Sequence, residues 1–418
     1  MHHLLPIDRE RLLQRFLQYV QIATAAQPDA TSYPSSTGQL ELGRLLVEQL
    51  QSMGLNTARQ DQHGLVWATV PATVPQAPGI LLNAHLDTSP EAPGHDVRPQ
   101  IVKPYVGGDI ALGGAGQFIR ASDCPALEQL IGHTLVTTDG RTLLGGDDKA
   151  GVAVIMELAQ YLSEHPETPH GAVQILFTCD EEIGRGTDKI DMREISALAG
   201  YTLDGSGAGN LEAENFSADQ LIITALGHNI HPSIAKGTMV NAVRAISQLA
   251  ARLPLQHLSP ESTENRQGFL HPYAISGGVG QAELRILLRD FDSNKLDEYT
   301  AVVEAHVAAV KTTISGCDFR IERQRQYRNM ADCLQRHPMV TDLAERAFHR
   351  LGRTCLRGSI RGGSDGAMLS EKGLPTPNLS VGQHNIHSVH EFVSLDEMAA
   401  ALEHMITLLD LWQQHGRS

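Results

Sequence analysis

The stretch AVQILFTCDEEIG, Ala172–Gly184, sets the problem. Its first seven residues read as a buried strand. The apolar run stops, and Asp180, Glu181 and Glu182 follow almost at once. Like charges side by side repel, and burying each costs several kcal/mol unless something neutralises it. A strand that ends in so much negative charge asks for a cation at its carboxyl end.

Other strand-like runs stop in the same manner. GILLNA, Gly79–Ala84, leads into His85, Leu86 and Asp87; AGYTL, Ala199–Leu203, leads into Asp204. Gly146, Asp147, Asp148 and Lys149 stand just before a helix that opens at about Ala150 and buries Val152, Ile155, Met156, Ala159 and Leu162. Strands alternating with helices predict an α/β fold with a mixed, mainly parallel sheet and helices on both faces. In such sheets ligands bind outside the carboxyl ends of the strands. Each piece alone has an ordinary reading: a core histidine, an acidic first turn, a solvated helix start, a turn before Gly205. All four in order at strand ends make a candidate metal site.

From about Phe216 the pattern changes. ADQLIITALG, AELRILLRDF and DFRIERQRQY read as strands, and MVNAVRAISQLAARL and LDEYTAVVEAHVAAVKTTI as helices, which suggests an inserted α+β, ferredoxin-like domain near β-α-β-β-α-β. The expected division is 1–215 for the first part of the larger domain, 216–328 for the insert and 329–418 for the second part. Ser89 to about Gly132 is the least readable stretch.

Composition narrows the function. A net charge of -15 argues against a nucleic-acid partner. Apolar runs fall short of the roughly 20 residues that span a bilayer, so no membrane association is expected. The start of the chain shows no signal peptide, and five cysteines, an odd number with no C-x-x-C pair, suit a reducing compartment. The expected location is the cytoplasm.

The chain resembles the peptidase T-like tripeptide aminopeptidases of the dizinc metallopeptidase superfamily that also holds carboxypeptidase G and the aminoacylases. The resemblance rests on HLDTSP, VGGDIALG, LVTTDGRTLLGGDDKAG, FTCDEEIGRG, LDGSGAG, ENFSA, HPSIAKGTMVNA, RDFD, IRGGSDGAMLS, GLPTPNLSVG and HNIHSVHEF, which span nearly the whole chain. It implies two Zn²⁺ per subunit, with Co²⁺ or Mn²⁺ as possible substitutes. By resemblance, His85, Asp147, Glu182, Asp204 and His387 are metal ligands, and Asp147 bridges. His387 is preferred over His384 and His390 because the family places a Glu four residues after its ligand, and Glu391 fits. Glu181 is implied as general base, with Asp87 holding the other ring nitrogen of His85. His231 is implied to reach the neighbouring site of a homodimer formed through the insert. Asn241, Arg289 and Arg361 are implied to hold the peptide carboxylate. A cis peptide between Asp147 and Asp148 is implied as well. The expected activity is release of the N-terminal residue from tripeptides. A related dipeptidase, N-acyl amino acid deacylase or carboxypeptidase with the same core is the alternative, and a non-catalytic peptide- or metal-binding relative is a further one. Gly146, Ser206, Cys179 and His228 depart from the common family wording (Ala, Gly, Pro and Asn). GQHNIHSVHEF also lacks an aromatic residue that the family carries between its last glycine and the ligand. None of these removes a ligand or the base.

Overall fold

The computed structural model describes residues 6–113 and 116–416; residues 1–5, 114–115 and 417–418, which the expected larger domain includes, lie outside the described residues. The chain divides into two compact units, Met1–Ala213 with Asp332–Gly358 and Ser364–Ser418, and Glu214–Ala331 with Ser359–Gly363. The expected division had given all of 329–418 to the larger domain. Ser359–Gly363, and Arg361 with it, instead clusters with the smaller unit.

Four adjacent parallel strands form the centre of the larger unit's mixed sheet: Val173–Thr178, Ile80–His85, Ala199–Ser206 and Asn378–His384, in that order. Every residue of the first, second and fourth is buried, which is why these strands read as near-continuous apolar runs. Val66–Val70 pairs antiparallel on one flank, and Phe392–Ser394, Leu135–Thr137 and Gln100–Val102 on the other. The helix Gly146–Glu164 packs on Ile80–His85 and is buried without a break from Gly146 to Ala159, its buried Glu157 paired with Arg11 and Arg15. Its first turn is irregular at Asp147 and Asp148, and the peptide joining them is cis, as the family resemblance implies. Trp67, Leu81 and Leu176 pack with Leu369 and Leu374. The stretch that the sequence left unread forms short strands at Gln100–Val102, Ile110–Ala111 and Phe118–Ile119 and a 3-10 turn at Pro125–Leu130. Tyr105, Ile110, Leu127 and Leu130 give it a small core of its own.

The smaller unit runs Ser217–Leu226, helix Ala242–Arg252, Phe269–Gly277, Gln281–Asp290, helix Lys295–Thr313 and Asp318–Tyr327. Its four strands are all antiparallel, with Gln281–Asp290 and Ser217–Leu226 central, the ferredoxin-like order. One face alone is buried: Leu284, Ile286 and Leu288 alternate inward against Ile246, Leu249, Val303 and Val307. Among the described residues no helix is long and apolar enough to cross a membrane, and the five cysteines are free thiols.

Candidate metal centre

The parallel strands deliver their side chains to one edge of the sheet. His85 is the last residue of its strand, Asp204 lies near the end of the third, and Glu181 and Glu182 form a 3-10 turn just past the first. His387 follows the fourth strand on a loop in which it and Asn385 take positive φ. Asp147 sits between the two imidazoles. Its Oδ1 is 3.0 Å from His85 Nε2 and its Oδ2 is 3.1 Å from His387 Nε2. His387 Nε2 is also 3.0 Å from Glu182 Oε2, and His85 Nε2 is 3.8 Å from Asp204 Oδ1. The five expected ligands therefore converge. His85, Asp147 and Glu182 form one set of donor atoms all within 4.8 Å of one another, and His85, Asp148 and Asp204 form another. Asp148 is the less suitable member, because its oxygens already accept the backbone N–H groups of His85 and Gly151, both at 3.2 Å.

Each convergent group is held from behind. Asp87 faces His85 Nδ1 with its carbonyl at 3.1 Å and its Oδ1 at 3.3 Å, which leaves Nε2 for the centre. Its carboxylate also accepts the backbone N–H groups of Glu181 and Glu182, each at 3.0 Å. Glu391 accepts from the backbone of Leu144, Gly145 and Asp147 and so shapes the approach to Asp147. Gln383 Nε2 donates to the carbonyl of Asp204 at 2.9 Å and to its Oδ1 at 3.2 Å. Glu91 Oε2 lies 3.2 Å from His387 Nδ1. Carboxylates and amides in these positions orient ligands and tune them. Sequence reasoning found Asp87 and used Glu391 only as a marker; Glu91 and Gln383 escaped it. Asp180, the third carboxylate of the run, is fully buried and bonded to Ser35 and Gln39.

The electrostatics show an unbalanced centre. Burial pushes the Glu181 carboxyl well above the usual range, and burial together with the charge of Asp147 does the same to Asp204. Glu182 is pushed up to about 7 by burial and by Asp147. Burial would raise Asp147 too, but its bonds from His387 and His85 prevail and lower it. Burial disfavours a charged His387, yet Asp147 and Glu182 raise it to about 11. Four carboxylates thus share two imidazoles, and Glu182 Oε1 is buried with no hydrogen-bond partner among the described residues. A divalent cation fits that donor set of imidazole and carboxylate.

The other expected site residues lie in the smaller unit. His231 is exposed, caps a 3-10 turn and accepts the Ser233 N–H at Nδ1. Asn241 caps the helix Ala242–Arg252 through the Arg244 N–H. Arg289 keeps Nε buried without a partner among the described residues. Arg361 donates to the carbonyls of Asn265, Gln267 and Thr263 and lies over the Phe216 and Phe269 rings.

Parallel strands whose ends bring imidazoles and carboxylates to one edge define a metal-binding class of α/β protein. The chain belongs to peptidase family M20/M25/M40, whose model matches residues 130–410. It is 40% identical over 408 residues to Peptidase T of Geobacillus kaustophilus, covering 97% of this chain and 99% of that one. Two solved structures share the fold: aminopeptidase PepT of Bacillus cereus, with a TM-score of 0.73, 23% identity and coverage of 97% and 99%, and a tripeptidase of Staphylococcus aureus, with a TM-score of 0.73, 21% identity and coverage of 98% and 99%.

Proposed function

We propose that the protein is a cytoplasmic, zinc-dependent aminopeptidase that releases the N-terminal residue from tripeptides. The observation that carries this reading is the Asp147 carboxylate spanning His85 and His387, one oxygen to each, with Glu181 beside the ligand Glu182. The full-length similarity to Peptidase T supports the substrate class. His85, Asp147, Glu182, Asp204 and His387 would hold two Zn²⁺, for which Co²⁺ or Mn²⁺ could substitute. When bound there, a divalent metal would supply Lewis-acid polarisation of a carbonyl and a lowered pKa for water. Glu181 takes the proton of the attacking water as its oxygen adds to the carbonyl carbon. As the C–N bond breaks, the Glu181 carboxyl returns that proton to the leaving nitrogen. Asp87 holds the Glu181 main chain still while this happens. Asn241 and Arg289 are proposed to bind the substrate carboxylate, with Arg289 suited to a bidentate contact; Arg361 would join them on leaving the carbonyls it now serves.

Leucine and Ala-Ala should appear from Leu-Ala-Ala, vanish after chelation and return with Zn²⁺. Release of alanine and Leu-Ala instead, or hydrolysis of N-acetylalanine or Ala-Ala but not of Leu-Ala-Ala, would overturn the reading.

The protein is further proposed to work as a homodimer through residues 216–328, with His231 completing the partner's site. Two-fold symmetry makes that contact reciprocal. Glu181→Ala and His231→Ala subunits, each inactive alone, should together regain roughly a quarter of wild-type activity, since half of randomly assorted dimers hold one complete site. A purified heterodimer as inactive as either parent would sink the proposal.

A further inference from the structure

A cavity of about 330 Å³ lies in the larger unit between the Ile110–Ala111/Phe118–Ile119 hairpin and the loop that carries His387. Ile386 and Ser388 line it, one on each side of His387 in sequence, while His387 itself points Nε2 at Asp147. One loop therefore serves both the metal centre and this cavity. The volume is at the small end of the range for ligand pockets and suits one residue rather than a peptide chain.

The lining has a definite chemistry. Phe118, Ile119 and Ile386 give it apolar walls, and Phe118 and Ile386 are 41% and 36% exposed. Its one arginine, Arg120, is paired with Asp109 at 3.3 Å and lies over the Phe118 ring. Asp123 accepts the Ser122 hydroxyl at 2.8 Å on Oδ1 and lines the wall. An arginine already facing Asp109 and a second carboxylate, Asp123, on the wall suit the ammonium end of a peptide better than its carboxylate end. We propose that this cavity receives the N-terminal residue of the substrate, with an apolar side chain against Phe118, Ile119 and Ile386 and the ammonium toward Asp123. The inference rests on the aminopeptidase reading above and narrows its substrates to tripeptides with an apolar first residue.

The test compares kcat/KM for Leu-Ala-Ala against Gly-Ala-Ala, and for Ala-Leu-Ala against Ala-Gly-Ala, in the wild type and in Phe118→Ala and Ile386→Ala. These two variants remove opposite walls, and thermal melts establish that each is folded. The first-position ratio should fall roughly tenfold in either variant, the scale of lost apolar contacts in a pocket, while the second-position ratio holds. Asp123→Asn should raise KM for both first-position substrates. If folded variants keep the wild-type first-position ratio, or if the second-position ratio falls instead, the cavity assignment is overturned while the aminopeptidase reading stands. If the wild type cleaves no tripeptide, both fail.

Discussion

Asp87 is tied to Glu181 through the main chain: its Oδ1 accepts the Glu181 N–H at 3.0 Å, while its other oxygen accepts that of Glu182. A single buried carboxylate thus sets the position of two adjacent acidic residues assigned different tasks. Replacing it by Asn puts an NH₂ group where an acceptor is needed. Asp87→Asn should lose roughly 10–100-fold in activity, mostly in kcat, with an unchanged circular dichroism spectrum. Unaltered kcat would show that the amide contacts have no bearing on the reaction.

Glu181 and Glu182 separate by phenotype. Glu181→Gln should keep its metal content by elemental analysis and lose at least about 10²-fold in kcat. Glu182→Gln should instead bind metal more weakly in chelator competition, because it removes the carboxylate whose Oε1 lacks a protein partner. Exchanged phenotypes would reverse the two assignments.

Gly146 stands where the family commonly has Ala, and the structure gives the reason. A Cβ there would come within 2.5 Å of Val393 Cγ2 and 3.1 Å of Glu391 Oε1. Valine is stiff at χ1 and cannot swing aside. Gly146→Ala should cost about 1–3 kcal/mol in urea unfolding. Adding Val393→Ala should return part of that loss, giving a favourable coupling in the double-mutant cycle. Additive costs would mean that the overlap is relieved elsewhere.

His404 provides a stability effect far from chemistry. It is stacked on Phe348, donates to the Ala344 carbonyl, and burial lowers its pKa from 6.5 to about 4. The unfolded chain therefore binds a proton here that the native state refuses. The resulting stability is complete above pH 6.5 and is lost as pH falls toward 4, to an extent of roughly 3 kcal/mol. His404→Gln should show a shallower fall in melting temperature than the wild type across that window. Parallel curves would exclude His404 as the cause.

What could be read from sequence follows from how each feature is encoded. Ile80–His85, Val173–Thr178 and Ala199–Ser206 were legible because burial on both faces demands uninterrupted apolar runs, and the polar residues that end them stand out. In the helix Leu395–His415, Met398, Leu402, Met405, Leu409 and Trp412 recur at helical spacing and are buried. Phe269–Gly277 went unread, since Pro272 and a register shift after it break the alternation. Ser359–Gly363 could not be assigned to the smaller unit because five residues carry no period. At the site, the ligands lie at strand ends or in family motifs. Glu91 and Gln383 act through a single contact or two, across 296 and 179 residues of chain, and nothing local distinguishes them from surface glutamate or core glutamine.

Asn378–His384 is an interior strand of the sheet, yet it is synthesised only after Ala199–Ser206 and the smaller unit that separates the two in the chain. Until it emerges, Ala199–Ser206 presents an open edge, which invites pairing with other chains. His387 is still missing as well, so a nascent chain can hold its first acidic residues together but cannot complete the donor set. A fragment ending at residue 377 should accordingly associate in size-exclusion chromatography and retain less metal than the whole chain. The same strand thus both closes the sheet and brings the last of the convergent side chains to its edge.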